Sequence, residues 1–252
     1  MDAAYVRTQY YNGVTTIEFF HPQSNSLPGK ILEQLAQAIH GAGNDPDCRV
    51  ILLKSGGERA FCAGASFDEL AAIDDETKGL QFFSGFANVI NSIRTAPKFV
   101  VGRIHGKCVG GGVGIAAAVD YAIATQDAEI RLSELAVGIG PFVIGPAVER
   151  KIGLSAYSQL SMDATLARSA EWARNKGLFA EMHATVAGMD ESVHRLLYTL
   201  SQSNPESMAE MKKIFWQGTS HWDSLLKERA AISGRLVLSE FTKQAIASFR
   251  KK

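Results

Sequence analysis

Two short segments of small residues, Phe61-Cys62-Ala63-Gly64-Ala65-Ser66 and Gly110-Gly111-Gly112-Val113-Gly114, each stand where a helix is expected to begin. A helix N-terminus carries unpaired backbone N–H groups and partial positive charge, and glycine or alanine lets a ligand oxygen approach them. Two such N–H groups aimed at one carbonyl oxygen form an oxyanion hole, each donor lowering a barrier by about 2.7–4 kcal/mol. One glycine-rich loop alone reads equally as a tight turn; two matched loops favour a shared ligand. Glu134 follows, a carboxylate able to take and return a proton, although a lone Glu at a turn is more often a surface or capping side chain. Gly112-x-Gly114-x-x-Ala117 also fits a dinucleotide fingerprint formally, with Glu134 placed to hold a ribose. That fit is poor, because the fingerprint glycine closes a strand directly and here His105 to Val109 intervene.

The elements that must position these residues follow from pattern. Val6 to Tyr10 and Val14 to Phe20 read as strands around an Asn12-Gly13 turn. Ile31, Leu32, Leu35, Ala38 and Ile39 recur at helical spacing, with Gly41 and Gly43 as the expected stop, and Val50 to Leu53 follows as a buried strand. A second helical pattern from Leu80 to Ile93 ends near Pro97, before a buried strand at Phe99 to Ile104. Ile115 to Val119 reads as a short buried helix, Tyr121 to Ala124 as a strand, and Glu129 to Leu132 as a strand or turn. Beyond about Gly145 the pattern is helical, broken at Gly153, Gly177, Pro205 and Gly218, with a strand only at Glu181 to Val186. An α/β core with a helical tail is the simplest architecture, and no internal repeat is visible.

Composition narrows the classes. Lys plus Arg and Asp plus Glu each number 26, so no net field draws in nucleic acid or an anionic membrane. The first residues lack a basic segment leading into an apolar one, and no stretch reaches membrane-helix length, which gives the expectation of a cytoplasmic protein. Cys48, Cys62 and Cys108 show no CxxC spacing and read as reduced packing residues, with no metal site implied. His105 reads as a hydrogen-bonded structural residue, and Glu149, beside Arg150 and Lys151, as part of a solvated helix face.

Several marks together resemble the crotonase superfamily, the enoyl-CoA hydratase/isomerase family, over essentially the whole chain. They are Asn25-Ser26-Leu27, Arg59-Ala60-Phe61-Cys62-Ala63-Gly64-Ala65, Ile104-His105-Gly106 leading into Gly110-Gly111-Gly112, Asp120 after the short helix, and Ser133-Glu134. The resemblance implies a four-turn ββα superhelix, residues 1–195 holding an acyl-CoA site and residues 196–252 forming a helical region that builds a homotrimer or dimer of trimers. It implies an oxyanion hole from the N–H groups of Ala65 and Gly111, with Glu134 catalytic. Substrate contacts are implied for Ala63, Ser66, Phe67, Asp68, Gly112, Gly114 and Phe142, and for a basic end such as Lys251 near the adenine nucleotide. Coenzyme A would arrive as part of the substrate, with no further cofactor.

Family hydratases hold the attacking water between two glutamates; here the first position falls on Gly114 and the second on Glu134. One carboxylate suits a 1,3 proton shift, in which a base moves a proton along an enolisable thioester while N–H donors hold the dienolate. Gly138-Ile139-Gly140-Pro141-Phe142 is similar to the Pro-Phe turn of mitochondrial-type Δ3,Δ2-enoyl-CoA isomerases, which favours isomerisation. Single-glutamate hydration, thioester hydrolysis or decarboxylation, and an inactive acyl-CoA-binding subunit are the alternatives.

Overall fold

Asn12 (φ 47°) and Gly13 (φ 81°) both take left-handed conformations, as a two-residue turn between right-twisted strands requires. They pair β1 (Tyr5–Tyr11) with β2 (Val14–Phe20) in antiparallel register from Tyr11↔Val14 to Tyr5↔Phe20. The structure is a computed structural model and describes the backbone of residues 3–249; Lys251 lies outside the described residues. From β2 the chain runs through β3 (Ser26–Leu27) into α1 (Gly29–Asn44), then β4 (Val50–Ser55), β5 (Ala60–Cys62), β6 (Gly64–Ala65), α2 (Phe67–Ala71) and α3 (Glu76–Thr95). It continues through β7 (Phe99–Ile104), β8 (Lys107–Val109), α4 (Gly111–Ala118), β9 (Tyr121–Thr125), β10 (Glu129–Arg131) and a 3-10 turn at Leu135–Val137. The remainder is α5 (Gly145–Met162), β11 (Arg168–Ser169), α6 (Ala170–Asn175), β12 (Glu181–His183), α7 (Val186–Ser201), α8 (Pro205–Phe215), α9 (Trp222–Leu236) and α10 (Glu240–Phe249).

Each turn of the spiral lays one strand in a large sheet and one short strand in a smaller sheet before a helix or turn closes it. The large sheet has the order β1-β2-β4-β7-β9-β12, parallel from β2 onward. The smaller one runs β11-β10-β8-β5, with β3-β6 as a separate pair. The four turns open at Val14, Val50, Phe99 and Tyr121, and these unequal intervals are why no repeat is visible in the sequence.

Three boundaries differ from the sequence expectation. Helix α1 runs through Gly41 and Gly43 to Asn44; Gly43 packs closely on Ala96 and Pro97, and Pro46 is what ends the helix by forcing Asp45 into extended backbone (ψ 118°). The expected helix at Ile115 to Val119 begins earlier, so Gly111, Gly112 and Gly114 are its first turns rather than a loop before it. Past Gly145 there are two short strands, β11 and β12, and the residues from Val186 belong to α7. Gly153 (φ 77°) does kink α5. The three cysteines are free and buried. Among the described residues no helix is long and apolar enough to cross a membrane.

The division expected at residue 195 falls inside α7, whose buried Met189, Val193 and Leu197 form one face against β4, β7 and β9. Helix α9 lies directly on α3 where Gly79 meets Gly234; a Cβ on Gly79 would stand 2.7 Å from the Gly234 Cα. Helix α8 is tied to the core by the buried Asp120 carboxylate. It accepts from the Val100 N–H (2.7 Å), the Lys212 ammonium (2.7 Å) and the Trp216 indole N–H (3.1 Å). Burial lowers the Lys212 pKa, while the adjacent carboxylate opposes that shift. Removing the carboxylate strands a buried ammonium, so Asp120→Ala should lower stability by about 3–5 kcal/mol in urea unfolding. A loss below about 1 kcal/mol would mean that this contact does not hold α8.

Candidate active site

Three parallel strands of the smaller sheet decide which groups meet. Cys62 of β5 is level with Cys108 of β8, and Arg131 of β10 is level with Val109. Their C-terminal ends therefore deliver Ala63, Gly110 and Ser133 to one place, the usual location of a ligand in parallel sheets. The Gly110 N–H donates to the Arg131 carbonyl (2.9 Å), which locks the glycine segment beside the chain leading to Glu134. A Cβ on Gly64 would lie 3.8 Å from the Gly111 nitrogen, so the two small-residue segments abut as expected. Gly111 is the first residue of α4, where a backbone N–H has no acceptor within the helix.

Glu134 stands at the entry of the 3-10 turn, and its carbonyl accepts from the N–H groups of Val137 (3.2 Å) and Ile139 (3.0 Å). Its side chain caps no helix. The carboxyl group reaches Gly110: a Cβ there would be 3.0 Å from Oε1, and Gly110 also has φ 52°, so only glycine fits. Oε2 is buried without a hydrogen-bond partner. Burial pushes the Glu134 pKa up to about 7, a backbone hydrogen bond opposing it weakly.

Around this carboxyl group lies a cavity of about 140 Å³. Of the residues singled out in the sequence, Ala63, Ala65, Phe67, Gly111, Glu134 and Phe142 line it. Four do not. Ser66 is buried and caps α2 by accepting from the Glu69 N–H (3.4 Å). Asp68 is exposed and accepts from the Gln23 amide (3.3 Å). Gly112 packs on Cys62, and a Cβ there would approach the Cys62 carbonyl oxygen to 2.4 Å. Gly114 faces Ile144, whose Cγ2 and Cβ lie 2.4 and 2.7 Å from where its own Cβ would be.

Ile144 also lines the cavity, as do Phe82, Phe83, Phe86 and Ser233 of α9. The Phe86 ring occupies the space a side chain at Gly111 would take, within 2.2 Å of that Cβ position. The helical pattern read from Leu80 to Ile93 supplies the three phenylalanines. Ile144 was foreshadowed only by Gly114, since a glycine in a buried helix leaves space that a neighbour must fill; Ser233, far along the chain, carried no signal. Glu149 is exposed outside the cavity. His105 departs from expectation: neither ring nitrogen has a hydrogen-bond partner, and burial lowers its pKa to about 4, so it packs as a neutral ring. Only its carbonyl is engaged, accepting from Thr125 (3.1 Å).

A ββα spiral whose strand ends join a helix N-terminus to a desolvated carboxylate defines a crotonase-fold protein. The solved structures agree: "Crystal structure of enoyl-CoA hydratase from Bacillus halodurans" superposes with a TM-score of 0.89 at 23% identity, covering 97% of this chain and 99% of that one. Residues 9–248 match the enoyl-CoA hydratase/isomerase family, and the chain belongs to that family. It is 26% identical over 254 residues to a Bacillus subtilis (strain 168) protein named "Probable enoyl-CoA hydratase", covering 100% of this chain and 97% of the relative. It is 28% identical over 202 residues to carnitinyl-CoA dehydratase of Salmonella enteritidis PT4 (strain P125109), covering 80% and 76% respectively.

A carboxyl whose folded-state pKa lies above its unfolded value stabilises the fold below the unfolded pKa and loses that contribution as pH rises through the folded one. With the Glu134 pKa moved from 4.5 to about 7, ionising it at pH 8 costs about 3 kcal/mol. Glu134→Gln should therefore be more stable than the parent by up to that amount at pH 8. The gap should shrink towards pH 5 in denaturant unfolding. Equal gaps at both pH values would show that the carboxyl is not desolvated.

Proposed function

We infer that this protein is an acyl-CoA enzyme that shifts a double bond, converting a 3-enoyl-CoA to the conjugated 2-enoyl-CoA through Glu134. One observation carries the reading: a buried carboxyl group whose Oε2 has no hydrogen-bond partner, its pKa raised to about 7, faces the first turn of a glycine-rich helix. As carboxylate, Glu134 removes a proton from C2 of the thioester. The electron pair moves into a dienolate whose oxygen accepts from the N–H groups of Ala65 and Gly111. The carboxylic acid then returns the same proton to C4, and the site ends as it began. Coenzyme A is carried by the substrate and no other cofactor takes part.

The packing at Gly114 supports isomerisation over hydration. A second carboxylate there would hold a water on the opposite face, but Ile144 fills that position, leaving the face apolar. Hydration by Glu134 alone is the second reading, favoured by the hydratase and dehydratase names of the relatives.

Incubation with 3-enoyl-CoA should yield the conjugated thioester with no change of mass, while 2-enoyl-CoA should gain no water. Glu134→Gln should lower the rate by about 10²–10⁴-fold. Because the base must be ionised, kcat/KM should rise with pH and level off above about 7. Addition of water to 2-enoyl-CoA, lost in Glu134→Gln, would replace isomerase by single-glutamate hydratase. Gly114→Glu alone should not fold normally, given its overlap with Ile144. Gly114→Glu combined with Ile144→Ala should fold and gain hydration of 2-enoyl-CoA, detected as added mass. If that pair folds and adds no water, Ile144 is not what excludes hydration.

A further inference from the structure

Phe82 lines two separate hollows. On one side is the Glu134 cavity of about 140 Å³; on the other is a groove of about 610 Å³ beside α1, α2 and α3, bordered by Lys30, Glu33, Glu69 and Lys78. Among the described residues that line them, no other is common to both. Phe82 is 9% exposed and sets its ring edge-on to Phe83 at 5.1 Å between centroids. Behind it, Val237 and Ile246 from the C-terminal helices join Phe82 in one buried apolar cluster. Phe82 is thus an aromatic wall shared by the two hollows and packed within one apolar cluster.

We propose that Phe82 sets the length of acyl chain the site accepts, and that the substrate is a short, uncharged enoyl group of about four to six carbons. The proposal rests on the acyl-thioester reading of the site. An engineered apolar cavity of about 150 Å³ takes up one benzene, a six-carbon ring, which sets the scale for a 140 Å³ space. Among the described residues that line that space, Glu134 is the one ionisable side chain, with only Ser133 and Ser233 as further polar ones. An acyl group bearing a carboxylate or an ammonium would find no countercharge besides Glu134 itself. A longer chain meets Phe82 and stops, although room lies beyond it.

Saturated acyl-CoAs have no double bond to shift or hydrate, so under either reading of the reaction given above their affinities read the cavity alone. Titration calorimetry with butyryl-, hexanoyl- and decanoyl-CoA, and with free coenzyme A, tests the length limit. In the parent protein, affinity should climb about fourfold per added methylene up to hexanoyl-CoA. Decanoyl-CoA should then bind about tenfold more weakly than hexanoyl-CoA. Phe82→Ala removes the wall, joins the two hollows and should reverse that order; Phe82→Leu, a smaller change to the cluster, should narrow the gap if the alanine variant does not fold. Affinity that keeps climbing to decanoyl-CoA in the parent protein, or a profile unchanged in a folded Phe82 variant, overturns the proposal. Failure of every acyl-CoA to bind better than coenzyme A overturns the acyl-thioester reading as well, whereas the expected profile without turnover of 3-enoyl-CoA sinks only the isomerase assignment.

Discussion

The parallel register of β5, β8 and β10 is the constraint on which the site depends. These strands are three residues each, too short to be stable alone, yet their ends fix Ala63, Gly110 and Glu134 relative to one another. A one-residue slip in β10 would turn its side chains to the opposite face and carry Glu134 away from Gly110. The larger sheet prevents such a slip. Val101↔Tyr121 and Ile104↔Ala124 pair β7 with β9 over their length, and the chain leaves those strands directly for β8 and β10. Long, buried strands thus impose geometry on short ones that could not choose it.

That geometry is held against an electrostatic cost. A carboxyl buried in an apolar cavity with one oxygen unpartnered is a group that folding disfavours once it ionises. Asp120, by contrast, is buried with three donors and anchors an element. The two acids have comparable seclusion and opposite treatment. The one that binds everything around it is structural; the one with an oxygen left unpartnered is available to a proton on a substrate.

Much of the large sheet was legible because its strands are long enough to show a pattern. Val50 to Leu53 and Phe99 to Ile104 are continuous apolar runs, and Asn12-Gly13 is a turn by its chemistry. The separate pair β3-β6 was not, since Ser26–Leu27 and Gly64–Ala65 contain two residues each and carry no period. Gly43 misled because a glycine serves either to end a helix or to let a neighbour come close, and here Ala96 and Pro97 decide. In the site, the glycines and Glu134 could be picked out by type and spacing. Ile144 could not, because what matters about it is the space it fills opposite a glycine, and that is a property of packing alone.

The same exchange of glycine for a neighbour's side chain recurs wherever the molecule brings elements together. Gly79 and Gly234 let α3 and α9 cross at backbone distance, Gly111 receives the Phe86 ring, and Gly114 receives Ile144. In the latter two pairs a neighbour supplies the glycine's missing side chain, so each is sensitive to enlargement on one side and to truncation on the other. Helix α3 takes part in two of these three pairs and also carries Phe82. Its seating against α9 therefore positions the aromatic wall of the cavity, and Ser233, next to Gly234, enters the lining as a direct result. The C-terminal helices are thus part of the cavity's construction: what they press on, through α3, is the shape of the space in front of Glu134.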